Sequence, residues 1–300
     1  MTPIRLGTRG SALALIQANR VKTELEAAFP GTTVEIHIIK TEGDRNQTSL
    51  LSQIGGKGVF IRDIETALVQ NTIDIAVHSL KDITSTLLPG LVLGGFLKPE
   101  SRLDALVCKG NYTLDTLPTC AVVGTGAARR VAQLSMLCPD LNTKPIRGNV
   151  ETRLAKLADP TQGLDAILLS EAGLIRLNLT HHITQTLSPE EFLPAPGQGV
   201  IALEHRSDDA KAQHWCAALS DPTQTLLSQT ELAFLSQVGL DCASPLGLYA
   251  TLEKTGLRLR GFLAHHTPGK TWRCDETVPI ENGLDLAQKM AQEALDFLDT

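Results

Sequence analysis

The chain has 300 residues, with 27 Lys and Arg against 33 Asp and Glu, a formal net charge of −6 and 42% hydrophobic residues. That balance excludes a general nucleic-acid binder, because no basic excess exists to neutralise phosphates, and no apolar run approaches a membrane span. The start, Met-Thr-Pro-Ile-Arg, lacks the apolar core of a signal peptide, so a cytoplasmic protein is expected. The length suits two or three domains. The six cysteines (Cys108, Cys120, Cys138, Cys216, Cys242, Cys274) are scattered without a Cys-x-x-Cys pair, which speaks against a metal site or a disulfide framework. No segment reads as an interface, and a monomer is expected.

Ile4-Arg5-Leu6 is strand-like and runs into Gly7-Thr8-Arg9-Gly10-Ser11. A helix follows, with Leu13, Ile16, Val21 and Leu25 at near-helical spacing. Strand, glycine-rich turn and helix together aim backbone N–H groups at an anion, and Arg9 and Ser11 lie in that turn. Val34 to Ile38 alternates like a strand. Gly55-Gly56-Lys57-Gly58 lacks the spacing of a nucleotide P-loop. It reads as a backbone-exposing loop before a helix from Phe60 to Val69, with a lid and a phosphate-type cradle both open.

Ile73, Ile75, Ala76 and Val77 form a short apolar run that reads as a strand buried on both faces of a parallel sheet. Open α/β sheets bind ligands beyond the carboxyl ends of such strands, where Ser79, Lys81 and Asp82 sit. These three residues are a polar site or an ordinary solvated loop.

After a linker at Phe96 to Ser101 the first pattern returns: Ala121-Val122-Val123 leads through Gly124-Thr125-Gly126-Ala127-Ala128-Arg129-Arg130 into a helix. Asp165 to Ser170 echoes Asp74 to Ser79. Two α/β lobes facing across a cleft are expected. The second lobe carries Arg129, Arg130, Arg147, Arg153 and Arg176, with Arg147-Gly148-Asn149 as a strand-to-helix turn. Arginine forks suit carboxylates or phosphates. Leu193 to Gly199 is a second linker returning the chain to the first lobe by a strand at Val200 to Leu203. Past Ser220-Asp221-Pro222 a helix from Thr223 to Val238, strands at Leu246 to Leu252 and Leu257 to Leu263, and a helix from Leu284 to Leu298 make a small α+β domain. Cys242 lies in its first loop. The adjacent pairs His181-His182 and His265-His266 read as surface residues that point apart on a strand.

Taken together, Ile54 to Phe60, Asp74 to Asp82, Arg147-Gly148-Asn149-Val150 with Arg153, and Pro196-Gly197-Gln198-Gly199 resemble the porphobilinogen deaminase (hydroxymethylbilane synthase) family over nearly the whole chain. The resemblance implies two lobes like periplasmic binding proteins, residues 1–97 with 198–220 and residues 98–197, plus a third α/β domain, residues 221–300. It implies that four porphobilinogen molecules are joined head to tail with loss of ammonia. The primer is a dipyrromethane held by a thioether to the cysteine corresponding to Cys242. By the same resemblance Asp82 is the acid/base and electrostatic residue. Cofactor contacts fall to Arg9, Ser11, Ser79, Lys81, Thr125, Arg129, Arg130, Arg147 and Gly148, and substrate contacts to Arg9, Gln17, Lys57, Arg147, Arg153 and Arg176.

The chain departs from the family pattern in four places. Gly126-Ala127 stand where two serines are usual, Leu103 and Leu232 where arginines are, and Leu240-Asp241 where the cysteine follows two glycines. Two readings follow: an active deaminase with altered cofactor contacts, or a paralogue that binds a tetrapyrrole or small anion without polymerising.

Overall fold

The computed structural model describes residues 3–41, 61–83, 86–240, 243–267 and 269–300. The chain divides into two compact units, Met1–Pro99 with Val200–Ser228, and Glu100–Gly199 with Gln229–Thr300. Its first passage lays down β1 (Ile4–Thr8), α1 (Ala12–Ala28), β2 (Val34–Ile38), α2 (Arg62–Val69), β3 (Ile75–Ser79) and β4 (Leu91–Leu97) in unit 1. Unit 2 then receives β5 (Asp104–Cys108), β6 (Val122–Gly124), α3 (Ala128–Leu137), β7 (Asn142–Lys144), α4 (Val150–Ala158), β8 (Ala166–Ser170), α5 (Glu171–Arg176) and β9 (Gln185–Thr186). The chain re-enters unit 1 with β10 (Ile201–Arg206) and α6 (Ala210–Leu219), and α7 (Pro222–Val238) contains the boundary. It ends in unit 2 with β11 (Leu246–Glu253), β12 (Gly256–Ala264), β13 (Thr271–Val278) and α8 (Gly283–Leu298).

Unit 1 holds a five-stranded sheet in the order β2-β1-β3-β10-β4, with β10 antiparallel to both its neighbours. Unit 2 holds a second such sheet, β7-β6-β8-β5-β9, in which β5 runs antiparallel to β8. The class is α/β, as expected, with two lobes of one design. One detail shows how close the repeat is. Asp74, just before β3, accepts the backbone N–H of Arg5 at 2.8 Å and donates its own to Arg5 O at 2.8 Å. Asp165, just before β8, does the same with Val122, at 2.7 and 2.9 Å. An aspartate thus sets the register between β1 and β3 in unit 1 and between β6 and β8 in unit 2.

β3 is buried over Ile75–His78, as its apolar run predicts, but it pairs parallel with β1 and antiparallel with β10, so the sheet is mixed where a parallel one was expected. In α1, Val21 and Leu25 reach the core while Leu13 and Ile16 stay half-buried, and Gln17 takes a buried position instead. The small sheet β11-β12-β13 is antiparallel and carries α8, which buries Leu286, Ala287, Met290, Ala291 and Ala294. The third strand escaped the sequence reading because Glu276 interrupts the half-buried face that Trp272, Cys274 and Val278 share, with Arg273 and Asp275 on the other. The two histidine pairs also differ from expectation. Each lies where the chain turns, and the rings come together at 4.2 Å (His181, His182) and 3.7 Å (His265, His266). His265 is buried, with Nδ1 accepting from Thr267 N at 3.0 Å. Side chains alternate only where the backbone stays extended.

The second linker is held by its glycines. Gly199 has φ +81°, and a Cβ there would lie 1.9 Å from Ser101 O. Gly199→Ala is therefore expected to lower the unfolding free energy by about 2–4 kcal/mol, measured by urea unfolding. A loss under about 0.5 kcal/mol would show that this backbone accepts a side chain.

Candidate active site

In unit 1, β1 ends in the turn that carries Arg9 and enters α1 through Ser11, whose hydroxyl caps the helix by accepting from Ala14 N at 3.3 Å. β3 ends in Ser79, followed by a 3₁₀ turn, Leu80–Asp82. Gln17 explains its own burial: Nε2 donates to Ser79 Oγ at 3.0 Å, tying α1 to the end of β3. The two strand ends enclose a hollow of about 80 Å³ lined by Arg9, Ser11, Gln17, Ser79 and Asp82, with His78 and the apolar Leu13, Ile61 and Val77. Lys81 is half-buried in the same turn and does not line it. Sequence reasoning did not single out His78, because a histidine within an apolar strand run reads as core.

In unit 2 the corresponding strand ends carry cations. Arg129 and Arg130, at the start of α3, are 4% and 5% exposed. Both turn to one carboxylate: Arg129 Nη1 donates to Asp104 Oδ2 at 2.7 Å and Arg130 Nη2 to Oδ1 at 2.6 Å. Backbone carbonyls take more of their donors, Leu193 O from Arg129 at 2.5 Å and Leu168 O from Arg130 at 2.8 Å. Burial by itself would raise the Asp104 carboxyl, but the two guanidinium charges and their hydrogen bonds outweigh it and hold the group well below the ordinary carboxylate range. Burial lowers Arg129, and Asp104 opposes that shift. Sequence reasoning missed Asp104. The available signal was an aspartate opening the apolar strand Ala105-Leu106-Val107, where an unpaired carboxylate is not tolerated.

Arg147 and Arg153 stand differently. Gly148, at φ +117°, lets the chain turn into α4, where a Cβ would meet Thr152 Cγ2 at 2.6 Å. Asn149 caps that helix by accepting from Thr152 N at 2.8 Å. Arg153 Nε donates to Gly148 O at 2.8 Å. Burial, then the charges of Arg130 and Arg147, pulls the Arg153 guanidinium down to about 10. A cation crowded by cations would be stabilised by an arriving anion. Arg176 is elsewhere engaged, paired with Glu100 at 2.7 Å and donating to Gly199 O at 2.5 Å.

Thr125, 1% exposed, accepts from Ala127 N at 3.3 Å through its hydroxyl. Gly126 packs so closely that a Cβ would lie 2.8 Å from Ile146 O. Thr125 and Gly126 open onto a hollow of about 470 Å³ that Pro245, Ala264 and His265 also line. Arg102 and Glu231 form a buried ion pair. Glu231 further accepts from Ala250 N and Gly197 N, both at 2.8 Å. Lys57, Asp241 and Cys242 lie outside the described residues, and Leu240, two residues past the end of α7, immediately precedes Asp241. Among the described residues one Cys-Glu-Glu group, Cys274, Glu276 and Glu293, has its ligand atoms within 4.8 Å, and Lys289 Nζ already sits 2.8 Å from Glu276.

A model of the family described as "Porphobilinogen deaminase, dipyromethane cofactor binding domain" matches residues 4–214. The porphobilinogen deaminase of Syntrophomonas wolfei subsp. wolfei is 41% identical over 297 residues, 98% of this chain and 96% of that one. Those of Chromobacterium violaceum and Paracoccus denitrificans are 40% and 41% identical, each covering 99% of this chain, and 95% and 96% of their own.

Asp104→Asn is expected to cost about 3–5 kcal/mol at pH 7, since it leaves two buried guanidiniums without a counter-charge. The folded-state pKa of Asp104 is depressed, so its stabilisation is present above the unfolded value near about 3.9 and is lost as pH falls below that towards the folded value. Urea unfolding of both proteins at pH 7 and pH 3 measures this. Wild type should lose part of its advantage over the variant at the lower pH, and an equal gap at both would refute the assignment.

Proposed function

The chain belongs to the porphobilinogen deaminase family, and we propose from this that it polymerises four porphobilinogen molecules head to tail onto a dipyrromethane primer, releasing hydroxymethylbilane with loss of ammonia. The observation that carries the reading is the meeting, in a chain of this family, of a carboxylate, a cation and a hydroxyl in one small hollow: Asp82, Arg9 and Ser11. The finer expectations go with it: a transferase of tetrapyrrole biosynthesis, monomeric and cytoplasmic. No described helix is long and apolar enough to cross a membrane.

The donor set fits a cofactor rich in carboxylates. Arg147 and Arg153 crowd one helix start, and the buried triad Asp104–Arg129–Arg130 has one positive charge in excess. When bound, the dipyrromethane supplies the pyrrole α-carbon to which the first unit is joined. Cys242 is its proposed thioether anchor. Pro245, three residues further on, lines the same hollow as Thr125 and Gly126, which supports placing that primer near the start of α3.

Each porphobilinogen brings an acetate and a propionate. Arg9 and the Ser11 hydroxyl are proposed to hold them in unit 1, with Gln17 and Ser79 fixing the wall and Lys81 and Lys57 adding charge. Arg147, Arg153 and Arg176 are the proposed carboxylate contacts in unit 2, with Arg129 and Arg130 giving the cofactor region its positive field. Arg176 must leave Glu100 to serve. Loss of ammonia from the aminomethyl group leaves a cation spread over the pyrrole. Asp82 stabilises that charge electrostatically, then takes the proton lost when the α-carbon is restored to aromaticity. Its position at a strand end, in a hollow partly lined by Leu13, Ile61 and Val77, strengthens the attraction by excluding water.

Asp82→Asn should keep the fold and lose about 10²-fold or more in turnover, read as bilane formed per minute. Near-normal turnover would remove Asp82 from the mechanism. Intact mass of the denatured protein should show an added mass of two linked pyrrole units in wild type and none in Cys242→Ala. A bare polypeptide mass in wild type, unchanged after incubation with porphobilinogen, would favour a binding protein.

A further inference from the structure

His78 lines the unit 1 hollow beside Ser79 and Asp82, and the roles assigned so far leave it without a task. The residue is 6% exposed, and Nε2 lies 2.8 Å from Glu204 Oε2 on the adjacent strand β10. Glu204 is fully buried, and its other oxygen, Oε1, has no hydrogen-bond partner among the described residues. Glu65, on α2, is 4% exposed and accepts from Leu88 N at 3.1 Å. Burial, then the charge of Glu204, raises its carboxyl above the ordinary value. The groups facing His78 are therefore Glu204 from β10, Glu65 from α2, and around the hollow Asp82 and Arg9.

A lobe core has no structural need for this set. Two carboxylates and an imidazole are costly to bury, and apolar residues of similar size would pack as well. A carboxylate on one ring nitrogen, however, orients the imidazole and steadies the imidazolium formed when the other nitrogen takes a proton. That other nitrogen, Nδ1, is the one Glu204 leaves unengaged, in a residue that lines the hollow.

We propose that His78, held by Glu204, relays protons out of the hollow, receiving at Nδ1 the proton that Asp82 collects. The proposal rests on the deaminase reading. In each condensation the C–N bond of the aminomethyl group breaks and its electron pair leaves with ammonia. A C–C bond then forms, the C–H electron pair of the attacking α-carbon returns to the ring, and the proton passes to Asp82. Asp82 must be anionic again before the next cationic unit forms. Transfer to Nδ1 restores it, and the imidazolium, paired with Glu204, gives the proton to water or to the departing ammonia. A single carboxylate can then serve every condensation in turn.

The test compares His78→Gln and Glu204→Gln with wild type. Loaded fractions are set by intact mass, and kcat and KM for porphobilinogen are followed across pH. Glu204→Gln keeps the shape and removes the charge, so kcat at neutral pH should fall about 10- to 100-fold with KM within about twofold. Its acid limb should move to lower pH by about one unit or more, because an imidazolium without its counter-charge forms less readily. His78→Gln should lose that limb. A purely structural pair would lower the melting temperature and leave the pH profile in place, and profiles of both variants that superimpose on wild type would overturn the proposal. Should His78→Gln not fold, the Glu204→Gln profile decides alone. Wild-type protein that forms no bilane would instead defeat the functional reading itself.

Discussion

Asp104 is the constraint on which unit 2 depends. One buried carboxylate receives Arg129 and Arg130 from α3 and Gln198 Nε2 at 3.0 Å from the second linker, while itself opening β5 just after the first linker. Taking three charges out of water is unfavourable, and the arrangement is stable only because nearly every donor finds an acceptor. The Leu193 carbonyl, bonded by both Arg129 and Gln133, and the Leu168 carbonyl complete the set. The consequence reaches the chemistry. Two guanidiniums against one carboxylate leave a fixed positive charge, and that charge is felt at Arg153.

The two lobes share a scaffold and divide the labour. Asp74 and Asp165 make the same pair of backbone bonds, so the strand ends fall in equivalent places. Unit 1 then sets a carboxylate at its strand end, in Asp82, whereas unit 2 sets cations around its own. The fold supplies positions, and the residues placed there supply the chemistry.

The departures from the family pattern take on a physical character. The resemblance puts an arginine at Leu103; one residue earlier stands Arg102, which lies against the Tyr249 ring at 4.7 Å and pairs with Glu231. Glu231 in turn grips the backbone of Gly197. That pair therefore acts on the linker. Gly126 is a different matter: its close approach to the Ile146 carbonyl leaves no room for a larger residue without a shift of backbone.

By itself the sequence determined the α/β class, most element positions and the local motifs. Short β-branched runs, glycine turns and helix caps act over a few residues, and their physics is written in neighbouring letters. It placed Arg9 and Ser11 at one strand end and Ser79 and Asp82 at another, and the structure has them lining one hollow with Gln17 from α1. It did not reveal what the arginines do at rest. Arg129 and Arg130 read as forks for a carboxylate or phosphate ligand, yet a carboxylate 25 and 26 residues earlier in the chain engages both. His78 had no reading of its own in the sequence, because Glu204, which lies against it, is 126 residues away. Partners of buried charges are chosen by whichever strands the topology makes adjacent, and a penalty for burial exists only once there is an interior. Only the tertiary structure decides them.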